Sequence, residues 1–269
     1  MLAITLSDTQ KRKIVSFLRT CRGIYVGNEA KTLRFIEAIV WMVRSGAQWE
    51  LLPERYGKWN SVYKRFARWC DRGIFDQMRT YFATDPDLEF LLLDSTIIRA
   101  HPCAAGVPSS DQEPQSDQAL GRSRGGFSTK IHLIVDGLGN PLDFILTGGQ
   151  VNDITQAPAL LEGHQADYVI ADKGYDSDAF IALIEQMEAI PVIQARKNWK
   201  EPRFYDLHIY KERHLVECCI NKLKWYRRLF SRFDKLARAS YNALMESDAM
   251  HSFGEDEASR SVTSDRRRR

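Results

Sequence analysis

No run of about 18 consecutive apolar residues occurs anywhere in the 269 residues, so no segment reads as a membrane-spanning helix. The longest candidate, Phe35 to Val43, is broken by Glu37 and reads as a core helix. The N-terminal stretch Met1 to Arg12 lacks a signal-peptide pattern, and the expected location is cytoplasmic. Cysteine is scarce as well. Cys21, Cys70, Cys103, Cys218 and Cys219 are odd in number and show no Cys-x-x-Cys spacing. That argues for reduced thiols over a disulfide framework or a cysteine zinc site. The six histidines, His101, His132, His164, His208, His214 and His251, form no H-x-E or H-E-x-x-H pattern. Each reads as structural or solvated, with His132 placed where it could face a site.

Net charge is small, at +3, yet unevenly spread. Residues 1–85 hold 15 Lys/Arg against 8 Asp/Glu, whereas residues 86–204 hold 9 against 17. Residues 205–236 are basic again, with 8 against 4. Basic flanks around an acidic centre suit a protein that grips a polyanion and holds metal ions in the middle. An acidic middle can equally serve solubility.

The N-terminal third reads as all-helical. Ser7 with Gln10 makes a capping box for a helix through about Arg19. A second helix begins near Asn28, buries Leu33, Ile36, Ile39, Val40 and Val43, and stops at Ser45-Gly46. A third runs from about Asn60 to Arg72, with Tyr63, Phe66, Trp69 and Cys70 as its apolar stripe and Arg65, Arg68 and Arg72 on another face. A short helix, Phe75 to Phe82, follows. Such an arginine-lined third helix is what helix-turn-helix proteins present to DNA, although a small bundle with solvated arginines fits the same pattern. Residues 1–85 are therefore expected to be a helical, helix-turn-helix-like DNA-binding domain.

From Leu88 the period changes. Phe90 to Leu93 runs into Asp94-Ser95-Thr96-Ile97-Ile98, a strand buried on both faces. An acid within such a run is costly to bury unless it meets a metal or a cation. Residues 101–126 read as a polar loop ending in Gly121-Arg122-Ser123-Arg124-Gly125-Gly126, a tip that is either phosphate-contacting or solvated. Ser128–Val135 and Leu142–Thr147 form an antiparallel hairpin. Tyr168 to Ala171 is a short buried strand ending at Asp172, where mixed α/β sheets place their sites. Asp153, Asp176 and Asp178 read as turn or cap residues, with Asp176 near enough to Asp172 to support it.

Residues 210–224 contain no Gly or Pro and read as one long helix. At about 100° per residue, Tyr210, Arg213, Glu217 and Lys224 fall within a wedge of roughly 60°. Val216, Cys219, Ile220 and Leu223 make an apolar stripe beside it. If the strands of Asp94 and Asp172 are neighbours and this helix packs across them, three carboxylates converge. Such a trio suits two divalent cations, Mg2+ or alternatively Mn2+, and in-line phosphoryl transfer. Three separate ion pairs with Arg or Lys are the other possibility the pattern allows.

Tyr210-x2-Arg213-x3-Glu217-x6-Lys224 resembles the Y-R-E-K signature of DDE transposases from bacterial insertion sequences. Leu93-Asp94-Ser95-Thr96 and Ala171-Asp172-Lys173-Gly174-Tyr175-Asp176 resemble that family's two aspartate motifs. The stretch Gly46-x2-Trp49-x2-Leu52-Pro53-x2-Tyr56-Gly57-x-Trp59 and the segment Gly121 to Gly126 resemble insertion-sequence family five. The resemblance implies an α/β, RNase H-like mixed-sheet catalytic domain over residues 86–236, holding two magnesium ions through Asp94, Asp172 and Glu217. It implies cleavage at terminal inverted repeats, joining of a 3′-hydroxyl to target DNA, and a homodimer in the active complex. By the same carry-over, Tyr210, Arg213 and Lys224 contact the terminal DNA. The enzyme would act in the bacterial cytoplasm, at the nucleoid. Residues 237–269 depart from that pattern, being polar and ending in Arg266 to Arg269, and read as an atypical, disordered tail. An inactive DNA-binding derivative and a metal-dependent nuclease without strand transfer are the competing functions.

Overall fold

Ser7 starts the first helix as its sequence dictates. Its hydroxyl accepts from the Gln10 amide, and the Gln10 side chain accepts from the Ser7 amide at 2.8 Å. Two of the amides that a helix start leaves orphaned are thereby satisfied, and α1 runs Asp8–Thr20. The computed structural model describes residues 5–82, 86–104, 119–196 and 203–233. The expectations for most of the 101–126 loop and for the tail from 237 lie outside them. The described residues divide into two units, one of residues 5–82 with Tyr226–Leu229, the other of the remainder.

In the first unit α2 spans Glu29–Ser45, opened by the Asn28 side chain accepting from the Lys31 amide at 2.9 Å. It closes at Gly46, whose φ of 64° is a left-handed cap that a Cβ would strain. The burial of α2 is wider than the expected stripe. Phe35, Ala38, Trp41 and Met42 are buried along with Ile36, Ile39, Val40 and Val43, while Leu33 is only half-buried. This helix is the centre of its unit. Helix α3 (Trp59–Asp71) turns Val62, Phe66 and Trp69 inward. Tyr63, expected in that stripe, is 41% exposed and packs edge-on against Trp49. With α4 (Ile74–Phe82), the rings of Phe35, Phe66, Trp69 and Phe75 form one aromatic cluster, with centroids 4.9 to 5.8 Å apart. Arg228, from the returning segment, donates to the Ala47 carbonyl at 2.9 Å and lies over the Trp49 ring.

The second unit is a mixed sheet. Strand β1 (Phe90–Ala100) pairs antiparallel with β3 (Gly126–Val135) and parallel with β5 (Tyr168–Ala171). β4 (Pro141–Gly148) and β2 (Gly121–Ser123) follow one another along the other edge of β3, and β6 (Ile190–Ile193) extends the sheet beyond β5 in parallel. Leu91, Leu92 and Leu93 have no exposed surface, which is why that run of β1 reads as continuously apolar. Helices α5 (Ala157–Leu161) and α6 (Asp178–Gln186) share a core with Leu91, Leu93, Ile134, Val169 and Ala171 on one face. The expected helix over 210–224 is segmented. α7 (Leu207–Tyr210) tightens to a 3-10 turn at Lys211–Arg213 before α8 (His214–Leu223), with the Lys211 carbonyl bound by the His214 ring at 2.9 Å. After α9 (Arg227–Phe230), the two-residue strand β7 (Ser231–Arg232) pairs with β1 at Arg99–Ala100. The fully buried Arg232 there donates to Thr129 Oγ1 at 2.7 Å and to the Ala119 carbonyl.

A candidate acidic site at the end of β5

Strand register brings the two aspartates together. Leu93 on β1 lies opposite Ala171 on the parallel strand β5, so Asp94 and Asp172 follow the same rung on neighbouring strands. β5 ends there, and between its rungs and those of β7 the β1 edge at Asp94–Ile98 has no strand partner among the described residues. Asp172 caps the short 3-10 turn Lys173–Tyr175, its Oδ1 accepting from the Gly174 amide at 2.7 Å. A Cβ on Gly174 would stand 2.8 Å from that same oxygen, closer than contact allows.

Glu217 arrives from α8, which packs on β1 and β3 with Val216, Cys219, Ile220 and Leu223 buried. The exposed Cys218 and buried Cys219 point to different sides. Arg213 joins the acids. Its Nη1 donates to Asp94 Oδ2 at 3.3 Å, and its Nη2 donates to Glu217 Oε1. Burial raises the Asp94 carboxyl above its ordinary range, against the Ser95 amide and Arg213, which favour the anion. Asp172 and Glu217 push it further up. Among the described residues no three His, Cys, Asp or Glu side chains yet form a closed metal-ligand cluster. Asp94 and Glu217 are bridged by the Arg213 guanidinium.

Tyr210 hydrogen-bonds Arg213 and packs edge-on against Tyr205; partial burial raises its phenol, and nearby Asp172 adds to that. Lys224 is exposed at the C-cap of α8. In the helical unit the three arginines differ. Arg65 does not stand on a free face: its guanidinium lies 4.3 Å from the Phe35 ring centre and 5.1 Å from that of Trp69, and donates to Thr32 Oγ1. Arg72 donates to the Gly23 carbonyl at 3.1 Å, and Arg68 is exposed. Arg122 and Arg124 are exposed at the β2–β3 hairpin.

Asp176 and His132 each have partners that the sequence does not announce. Buried Asp176 pairs with Arg203 Nη1 at 2.6 Å and accepts from the Arg196 amide at 2.9 Å. Arg196 also donates to the carbonyls of Lys173 and Gly174, so the Asp172 turn is clamped from behind. The second set centres on His132, fully buried and opposite Ser95. Its Nε2 meets Thr147 Oγ1 at 2.8 Å, and its Nδ1 lies 3.7 Å from Asp153, which pairs with Lys130 at 2.8 Å. Burial holds the imidazole down to about 4. Asp153 is thus an ion-pair partner rather than a cap. Its charge, with those of Asp94 and Asp172, also reaches the buried Tyr175 phenol, which burial pushes well above its ordinary range.

Residues 6–79 match the family model described as "Putative transposase of IS4/5 family", and residues 85–256 match "Transposase DDE domain". Over 115 residues the chain is 40% identical to the "Putative transposase for insertion sequence element IS6501" of Brucella ovis, covering 42% of this chain and 88% of that protein. It is 41% identical over 102 residues to the "Uncharacterized protein y4sN" of Sinorhizobium fredii, covering 38% of this chain and 82% of that one. Against the IS402 relative of Burkholderia cepacia the identity is 34% over 128 residues, 43% of this chain and 57% of that one. A piggyBac transposase in a synaptic complex with hairpin DNA shares the fold at a TM-score of 0.51 and 12% identity, over 90% of this chain and 70% of that one. No helix among the described residues is long and apolar enough to cross a membrane. With a helical N-terminal unit followed in the chain by an RNase H-like mixed sheet, this chain belongs to the IS4/5 family of DDE transposases.

Proposed function

We propose that this transposase cleaves DNA at the inverted-repeat ends of an insertion sequence and joins the freed 3′-hydroxyl to target DNA. The observation that carries the reading is the juxtaposition of Asp94 and Asp172 on one rung-step of β1 and β5, with Arg213 tying Asp94 to Glu217. The donor set suits a hard divalent cation. All three groups are carboxylates, and Asp94 is buried enough to need a positive partner. Asp94, Asp172 and Glu217 would hold two Mg2+ or Mn2+ ions, which supply an activated hydroxyl on one side of the phosphorus and a stabilised leaving oxygen on the other.

The protein's own residues do the positioning. The Gly174 amide fixes the Asp172 rotamer, and the Arg196 clamp holds the turn. Arg213 compensates Asp94 and Glu217 and would be the cation within reach of the scissile phosphate. Tyr210 and Lys224 flank the terminal nucleotides, while Arg68, Arg72, Arg122 and Arg124 meet phosphates and set register. Two ends cut in one complex require a homodimer when active. The test is incubation of the protein with duplexes bearing the element's terminal repeats and Mg2+. Cleavage and joining are expected, and both are lost in Asp172→Asn. Cleavage that persists in that variant, or binding with no cleavage by the parent, overturns the proposal.

A further inference from the structure

Side chains alternate across a strand, so register tells which residues share the face of Asp94. Asp94 pairs with Leu133, Thr96 with Ile131 and Ile98 with Thr129, and continuing that ladder brings Phe127 opposite Ala100. Phe127 in turn pairs with Arg122 across the β2–β3 hairpin. Phe127 and Arg122 therefore lie on the Asp94 face, six residues further along, or about 20 Å at the rise of a strand. Phe127 is 48% exposed, and Arg122 and Arg124 are exposed beside it. The Arg99 guanidinium reaches the same hairpin, within 3.4 Å of where a Cβ on Gly125 would stand. Residues 121–127 contain no acid.

Single exposed aromatic residues are common on protein surfaces. What sets this one apart is its setting: the exposed Arg122 directly across the hairpin, the exposed Arg124 at its turn, and a position on the same sheet face as the acid site. Arginines around an aromatic ring are the composition that holds phosphates while the ring meets bases or sugars. We infer that Phe127 and Arg122 form a second contact for the DNA duplex whose end occupies the acid site, about six base pairs from the scissile phosphate at 3.4 Å per pair. Arg122 meets a backbone phosphate, and the Phe127 ring presses against the base edges or enters the stack. The inference rests on the acid site being where the DNA is cut.

The test uses the full chain carrying Asp172→Asn, so that binding is read without cleavage. The probe is a 30-base-pair duplex ending in the terminal repeat of the protein's own element. Adding Phe127→Ala is expected to weaken binding roughly tenfold with no change in its salt dependence, whereas Phe127→Trp retains affinity. Arg122→Ala is expected to lower the salt slope by about one. With 5-iodouracil walked along the duplex, crosslinking to Phe127 should peak near the sixth base pair from the cut. Unchanged affinity in Phe127→Ala with unaltered melting, or a crosslink peak at Phe127 more than a half-turn away from that position, overturns the inference. If the parent protein fails to cleave while Phe127→Ala still weakens binding, the cleavage reading falls and the duplex contact stands.

Discussion

Arg213 donates from Nη1 to Asp94 Oδ2 at 3.3 Å, linking residues 119 positions apart in the chain and, through Nη2, drawing in Glu217. A buried carboxylate raised above its ordinary range by desolvation costs stability when ionised. The sign follows from proton binding. The folded state holds the Asp94 proton to higher pH than the unfolded chain does, so this cost is present above the folded value and disappears as pH falls below it. Asp94→Asn is therefore expected to melt a few degrees higher than the parent at pH 7.5 in chelator. The gap should close toward pH 4. Divalent cations should raise the melting temperature of the parent more than that of the variant. Thermal melts at the two pH values decide this; a variant less stable at pH 7.5 counts against it.

His132 behaves in the opposite sense. Its imidazole is buried and held down to about 4, so the unfolded chain binds the proton first, from about pH 6.5 downward. Stability contributed by neutral His132 is complete above that pH and is lost between about 6.5 and 4. The span corresponds to about 3 kcal/mol at most. Denaturant titrations across pH 4 to 7 should show a shallower acid loss in His132→Gln than in the parent.

Gly174→Ala tests the Asp172 turn. The added methyl would meet Asp172 Oδ1 at 2.8 Å, and the carboxylate must move off the Gly174 amide. A displacement of about 1 Å at a reacting centre costs on the order of 100-fold. Cleavage rate should fall by that order while the melting temperature moves little, and a variant with parental rates would show that the rotamer of Asp172 does not matter.

Arg65 and Arg68 should separate cleanly. Arg65 packs on Phe35 and Trp69 and bonds Thr32, so Arg65→Ala is expected to cost about 1–3 kcal/mol of stability. Arg68→Ala should leave stability within about 0.5 kcal/mol and lower the salt slope of DNA binding by about one. Equal stabilities for the two variants would contradict the packing role.

Much of this arrangement is legible in the chain because local chemistry decides it. The Ser7–Gln10 box and the Asn28 and Gly46 caps act within a few residues. Asp94 and Asp172 stand out because each ends an apolar run that only a buried strand explains. The rest depends on partners distant in sequence. Arg203, 27 positions further along the chain, is recognisable as the support of Asp176 only once that segment is folded back. The Lys130–Asp153–His132 set likewise joins a strand to a loop that no periodicity connects. Tyr63 and Val62 exchange places because Trp49, from outside the helix, takes the tyrosine edge-on. The tightening at Lys211–Arg213 has no Gly or Pro to announce it.

The most direct measurement is a crystal structure of the protein grown with Mn2+, using anomalous scattering to locate the ions. Convergence of the acids predicts two manganese peaks about 4 Å apart, bound by Asp94, Asp172 and Glu217, with Arg213 turned away from Asp94. Manganese absent from these carboxylates at saturating concentration, with the Arg213–Asp94 and Arg213–Glu217 pairs intact, would contradict it.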